Sequence, residues 1–328
     1  MLTREQIVKM FVEKIYGDGW HWLAYHFSTY ARGCEHFLAA SIVDSCLEIE
    51  CSLNGYSEEF STRLSSLSGK DKHLPHYEQI IQLLSELYAI CHIIEKGGGE
   101  ATFVHEPTAE GSEKNPELGV TFHDKELYFE VKCRQFIEHH NNRGNAAIEL
   151  PSRQEGAIEL ASMMGHGANS IVLPRDNVVK DFLVSADLKF SGFKKHNPNC
   201  VCVLIIVWDD FAYEPISSLM NKASGLLTEK SFFQDEGEPV SFENIDAVLV
   251  VRQSHHIVRA TRSELPVDGL RHPLDWGKRG DVLPKALIPV SELSVELIEY
   301  LCDFLEAVHI EALQKAADYR PQEFVMHL

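Results

Sequence analysis

Long uninterrupted apolar runs are missing from this 328-residue chain. No stretch reaches the roughly 18 apolar residues that a membrane-spanning helix requires, so no such span is expected. The opening MLTREQIVKMFVEKIYGDG is amphipathic and charged. It has neither a continuous apolar centre nor a small-residue cleavage site, so it does not read as a signal peptide, and a cytoplasmic setting is expected. Paired metal or redox spacings are missing as well. None of the eight cysteines forms a CxxC pair, and Cys200 and Cys202 alternate inside the apolar run CVCVLIIVW, which points to buried free thiols. The seventeen histidines show no metal-binding spacing. The doublets His139-His140 and His255-His256 would face opposite ways on strands, which argues against either doublet chelating one ion.

Basic charge is also scarce. Thirty Lys and Arg stand against 49 Asp and Glu, a formal net charge of −19. A chain this acidic repels nucleic acid at long range, so contact with DNA or RNA would need a local basic surface or a basic partner. One region leans that way: Arg252 to Lys285 carries seven Lys or Arg against four Asp or Glu, and Lys194 and Lys195 add to it. A mixed-charge solvated loop is the plainer reading of the same residues. There is no internal repeat and no low-complexity segment.

What the sequence has in plenty is alternating helical and strand pattern. Residues 1 to about 68 carry apolar residues at three- and four-residue spacing, a helical region that breaks at SSLSGKDKHLPHY, near residues 68 to 76. A strong helix follows in HYEQIIQLLSELYAICHIIEKGGG, stopped by three glycines. Short extended segments come next: ATFVHEP, LGVTFH and ELYFEVKC. After the polar IEHHNNRGN a helix is expected over SRQEGAIELASMM, then buried strands at CVCVLIIVWDD and IDAVLVVRQ. Pro and Gly punctuate residues 264 to 289, and SELSVELIEYLCDFLEAVHIEALQKAAD reads as one long amphipathic helix opened by serine. The order defines an α/β chain with a mixed sheet. Its expected parts are an N-terminal helical region (1–72), a core (73–290) and a C-terminal helix (291–328).

The chemistry-bearing stretch is NPELGVTFHDKELYFEVKC, residues 115 to 133. In the second strand Leu127, Phe129, Val131 and Cys133 share one face, while Tyr128, Glu130 and Lys132 share the other. With Asp124-Lys125 as a two-residue loop, His123 would pair with Glu126, placing Glu117 opposite Lys132 and diagonal to Glu130. Two carboxylates and an ammonium on one sheet face suit a hard cation such as Mg2+ together with a phosphate ester. An exposed Glu-Lys pair on an ordinary strand is the competing explanation. In the preceding helix Glu86 falls inside the stripe of Leu83, Leu87, Ile90, Ile93 and Ile94, where a carboxylate needs a cation or donors.

Helix Glu86, then Pro116-Glu117, then Glu130-Val131-Lys132, then a helix and a buried strand, resembles the PD-(D/E)xK nuclease superfamily over about residues 76 to 210. The resemblance implies a restriction-endonuclease-like mixed sheet flanked by helices. It implies Glu117 and Glu130 as metal-binding acids, Val131 as a backbone-carbonyl ligand, Lys132 as the catalytic lysine and Glu86 as the helix carboxylate. The implied cofactor is Mg2+, with Mn2+ as a substitute. The implied activity is phosphodiester hydrolysis of nucleic acid, DNA ahead of RNA, in a defence, restriction or repair setting. A helicase, a DNA-binding subunit or a second copy of the chain could serve as partner. Aspartate is usual where Glu117 stands, and a misplacement on the order of 1 Å can cost roughly 100-fold in rate. A catalytically inactive module of the same fold, acting in binding or assembly, is the alternative. Gln154 and Glu155, at the expected next helix, and Asp209-Asp210, after the buried strand, are weaker candidates.

Overall fold

The computed structural model describes residues 2–326, except 18, 68–72, 110–113, 123–124, 136, 151–152, 154–155, 168–169, 210–212, 281–284 and 314–324. Five helices come first: α1 (Arg4–Gly17), α2 (Ala24–Ser28), α3 (Phe37–Ser52), α4 (Tyr56–Ser66) and α5 (Leu74–Gly97). Three strands follow, β1 (Ala101–His105), β2 (Leu118–Phe122) and β3 (Lys125–Cys133). Next are α6 (Ile137–Gly144), β4 (Ile148–Glu149), α7 (Ala157–Met163), β5 (Ile171–Val172), α8 (Asp176–His196) and β6 (Val201–Trp208). The chain continues through α9 (Tyr213–Met220), β7 (Gln234–Asp235), β8 (Glu238–Pro239), β9 (Ala247–Arg252), α10 (Ser254–Thr261) and β10 (Lys285–Pro289). It closes with α11 (Val295–Phe304), β11 (Ala307–His309) and β12 (Val325–Met326).

The principal sheet is mixed, with seven strands in the order β1-β2-β3-β6-β9-β10-β11. Strands β1, β2 and β3 form an antiparallel meander. Strands β3, β6 and β9 run parallel, β10 reverses, and β11 runs parallel to β10. The sheet is coated on both faces, so its central strands read as apolar runs. Leu127, Phe129 and Val131 of β3 and Val203, Ile205 and Val207 of β6 enter one core with α5 and the N-terminal helices. Cys202, Leu204, Ile206 and Trp208 enter the other, beneath α8 and α9. The first core runs without a break from Ile7 to Ala307, so the N-terminal helices are packed onto the sheet.

Helix α5 ends where Gly98 adopts φ +56°, a left-handed backbone that suits glycine. Gly97 is required for a different reason. A Cβ there would come within 2.7 Å of the Phe103 ring, so the start of the sheet could not close against the helix.

Three features depart from the sequence expectation. Helix α8 was not anticipated, although Val178, Val179, Leu183, Ala186, Phe190 and Phe193 recur at helical spacing and are buried against β6. The expected helix over 152–164 shortens to α7, with Gln154 and Glu155 outside the described residues. The C-terminal helix is the third. Ser294 does cap α11, accepting from Leu297 N at 3.2 Å, but the helix stops at Phe304. Glu306 turns at φ +49°, and Ala307–His309 forms β11 beside β10. The freed carbonyls at this stop are bound, Phe304 O by His92 Nε2 at 3.1 Å and Leu305 O by Trp276 Nε1 at 2.8 Å. Strand pairing and these two donors outweigh the helical periodicity.

Candidate active site

Strand β2 begins at Leu118, which pairs with Phe129, so β3 continues from Glu130 to Cys133 beyond its neighbour. The observed pairs Phe122–Lys125 and Leu118–Phe129 shift the hairpin by two residues from the expected register. Carried one step further, they put Glu117 opposite Glu130, where Lys132 had been expected. A shift of two preserves which side chains share a face, because strand side chains alternate with period two. The apolar pattern therefore fits both registers equally well.

Glu130 is fully buried, at 0% exposure. Its Oε1 lies 2.5 Å from Lys132 Nζ and 2.7 Å from Lys189 Nζ, and its Oε2 accepts from Lys189 Nζ at 2.8 Å. Lys189 comes from the middle of α8 and also reaches Glu117 Oε2, at 3.6 Å. Tyr128, two residues before Glu130 on the same face, packs on Phe193 of α8 at 4.3 Å between ring centroids. That contact fixes α8 over this face of β3 and aims Lys189 at the carboxylates. Lys189 is the residue that sequence reasoning missed. Its signal was the unrecognised helix, in which it stands one position before Phe190.

Burial pushes the Glu117 carboxyl well above the usual carboxylate range, and its hydrogen bond to Glu130 and the neighbouring charge push the same way. Two carboxyl groups this close disfavour ionising together, which raises the Glu117 carboxyl, while Lys189 Nζ opposes the shift. The buried Glu117 Oε2 receives no hydrogen bond. Burial works against the charge on Lys132, yet Glu130, Glu117 and Glu86 together hold its ammonium above the ordinary lysine value.

Glu86 approaches differently. It belongs to α5, the layer that covers the face opposite Glu130, and its carboxylate is bound by Arg63 Nη2 at 3.0 Å. The cation expected beside a carboxylate in that apolar stripe is thus Arg63. Burial raises the Glu86 carboxyl, opposed by Arg63 and Lys132, so the field of Glu86 reaches the cluster although its ion pair is with α4. The structure therefore brings Glu117, Glu130, Lys132 and Lys189 together, with Glu86 at the margin. Val131 turns its side chain into the first core, leaving only its backbone towards the cluster.

The other candidates play different parts. Asp209 binds His140 Nε2 at 2.9 Å, and Asp210 lies outside the described residues. Most of the basic region from Arg252 to Lys285 is matched to acids. Arg252 binds Asp268, Arg259 binds Glu264, Arg271 binds Asp275 and Arg279 binds Asp303, while Lys285 is buried and donates to Trp276 O. Lys194 is held by Asp246 at 2.7 Å. The pairing fits the mixed-charge reading of this region and leaves little basic surface for phosphate contact. A cleft of about 900 Å³ lies between α3, α5 and the 269–278 loop, away from the carboxylate cluster.

The donor set fits a hard divalent cation. Two carboxylates converge there, and a buried oxygen of Glu117 receives no hydrogen bond although Lys189 Nζ lies 3.6 Å away, so a cation beside both acids would be favoured by their charge. Among the described residues, sets of three metal-ligating side chains occur elsewhere, at His255, His256 and Asp268 and at Glu59, His105 and Glu106. An ion at Glu117 and Glu130 would thus hold two side-chain ligands and complete its shell with backbone, water or substrate oxygens.

A stability prediction follows from the raised Glu117 value. A carboxyl whose folded-state pKa lies above its ordinary 4.5 contributes stability below that value, and the contribution is lost as pH rises through the folded-state value. Glu117→Gln removes this dependence and should raise the metal-free stability at neutral pH by about 1 kcal/mol. Thermal unfolding of both proteins across pH 5 to 8 in EDTA checks it, the gap widening as pH rises.

No family, no curated protein and no solved structure matches the chain.

Proposed function

We propose that the chain is a metal-dependent nuclease that hydrolyses phosphodiester bonds, with Glu117, Glu130 and Lys132 at its centre. The observation that carries this reading is the buried Glu117–Glu130 pair at the open end of the β2–β3 hairpin, with Lys132 beside it. The order of elements is compatible with it: helix α5, the β1-β2-β3 meander, then, after α6, β4, α7 and β5, helix α8 and the parallel strand β6. The resemblance implies a helix and then a buried strand after Glu130-Val131-Lys132, with the helix expected at residues 152 to 164 rather than at α8.

Glu117 and Glu130 would hold Mg2+ or Mn2+, which supplies Lewis acidity towards the phosphodiester. Lys132 Nζ, charged and one contact from Glu130, donates to the attacking water or to charge developing on the phosphoryl oxygens. Lys189 clamps Glu130 and fixes its rotamer. Glu130 first, then Glu117 and least Glu86 hold the charge on Lys132, and Glu86 orders Arg63.

A specific observation favours a second reading, a non-catalytic module of the same fold. Lys189 Nζ stands between the two carboxylates, 2.7 Å from Glu130 and 3.6 Å from Glu117, where a bridging cation would sit. An ammonium can replace the ion permanently. The two readings separate in a cleavage assay on single- and double-stranded DNA and RNA with Mg2+, Mn2+ or EDTA. Metal-dependent cleavage supports the nuclease, with DNA expected to be cut ahead of RNA. Binding without cleavage supports the module.

Because the basic segment is internally paired and the net charge is −19, binding of nucleic acid by the isolated chain should be weak. Few phosphates can be neutralised, so the log–log salt dependence should have a slope of only about −2. A titration at several salt concentrations reads this directly. A basic partner such as a helicase or DNA-binding subunit, or a second copy of the chain, would strengthen engagement.

A further inference from the structure

The histidine doublet that reads as unsuited to chelation on a strand lies instead on the first turn of α10. There the His255 and His256 rings lie tilted at 45° to each other with centroids 3.8 Å apart. Both turn Nε2 towards Asp268, at 3.7 Å for His255 and 3.6 Å for His256 from the same Oδ2. One ligand atom from each of the three lies within 4.8 Å of the other two. His255 and His256 are buried, at 8% and 1% exposure, and Asp268 closes the group from a loop position with φ +61°. The site sits just past the carboxyl end of β9, on the edge where the parallel strands β3, β6 and β9 end, where open α/β sheets commonly hold ligands.

We infer that His255, His256 and Asp268 form a binding site for a borderline divalent transition metal of the zinc type, separate from the Glu117–Glu130 pair. Donor atoms about 2.0–2.2 Å from a tetrahedral ion lie a little over 3 Å apart, so a small inward movement of the three groups closes the site. Two imidazoles and one carboxylate select Zn2+ or Co2+ over Mg2+, which prefers an all-oxygen shell. Three protein ligands leave a fourth position open for water or an exogenous donor. Arg252, whose Nη1 binds Asp268 Oδ2 at 2.5 Å, takes the outer-shell place. A ligating carboxylate is usually hydrogen-bonded through its second oxygen, and turning about χ2 gives Arg252 one oxygen and the ion the other.

The test is a Co2+ titration of the full chain, read by visible absorption, with Zn2+ competition. The expected result is one high-affinity ion per chain, with the ligand-field bands of a four-coordinate nitrogen–oxygen site that Zn2+ abolishes and excess Mg2+ does not. Asp268→Asn, which tolerates the left-handed backbone, and His256→Gln should each weaken binding at least about tenfold. Glu130→Gln should leave the bands in place. Circular dichroism establishes that each variant is folded, and if His256→Gln is not, Asp268→Asn decides. The inference is overturned if the folded variants bind Co2+ as the native chain does. It is also overturned if Glu130→Gln removes the bands, or if thiolate charge-transfer bands place the ion at Cys200 and Cys202, whose Sγ atoms lie 3.8 Å apart.

Discussion

Lys132→Ala is expected to abolish metal-dependent cleavage, lowering kcat by about 100- to 1,000-fold, the loss typical when one preorganised donor to transition-state charge is removed. The fold should survive. Lys132 is partly exposed and its stem supports neither core, while Glu130 keeps a second ammonium in Lys189. A destabilisation of about 1 kcal/mol is expected, within the range of ordinary single substitutions. Matched circular dichroism and cleavage measurements separate the two effects. A variant that unfolds, or that cuts at the native rate, assigns Lys132 a structural part instead.

Lys189→Ala should behave in the opposite way, costing more in stability than Lys132→Ala does. Lys189 contacts both oxygens of the fully buried Glu130 and also faces Glu117. Removing one partner of a buried ion pair leaves an uncompensated charge, at a cost of about 3 kcal/mol. Lys132 compensates one oxygen only. If the pair is a cation site, Mg2+ or Mn2+ can take over from the ammonium, and the variant should regain much of its melting temperature when the ion is added. A metal-insensitive loss of stability would mean that Lys189 is a permanent counter-charge, as the non-catalytic reading requires.

The strands of the principal sheet that bear the site were legible because their pattern is simple. The alternation in LYFEVKC puts Phe129 and Val131 in the first core and leaves Glu130 and Lys132 on the opposite face. The runs of β6 and β9 are apolar because both faces of the sheet are covered. The hairpin register was not legible, since a shift of two leaves every face unchanged and no glycine stands between Phe122 and Lys125 to single out a turn. Helix α8 was hidden by its polar residues. Lys180, Asp181, Lys189, Lys194 and Lys195 interrupt an apolar stripe that becomes plain only when seen against β6. The helical pattern after Ser294 was real but local. Strand pairing with β10 and the donors His92 and Trp276, all distant in sequence, decided its end. The histidine doublet was misjudged for a related reason: its meaning depended on whether it lay on a strand or a helix, and nothing around it in sequence reveals Asp268 as its neighbour in space.

The site was legible as a set of letters, and its geometry was not. Glu117, Glu130 and Lys132 do meet, but through a different pairing, and the group that ties the acids together comes from an unanticipated helix. Glu86 found its cation in Arg63, from α4, a contact that the two local sequences do not encode.

The most direct test of the central claim is cleavage by the purified native chain. Fluorescently labelled single- and double-stranded DNA and RNA are incubated with the protein in Mg2+, in Mn2+ and in EDTA, with Lys132→Ala as the control for contaminating nuclease. The account predicts cleavage that requires the divalent ion and disappears in the folded variant. Equal cleavage by the variant, or none by the native chain on any substrate with either ion, would contradict it.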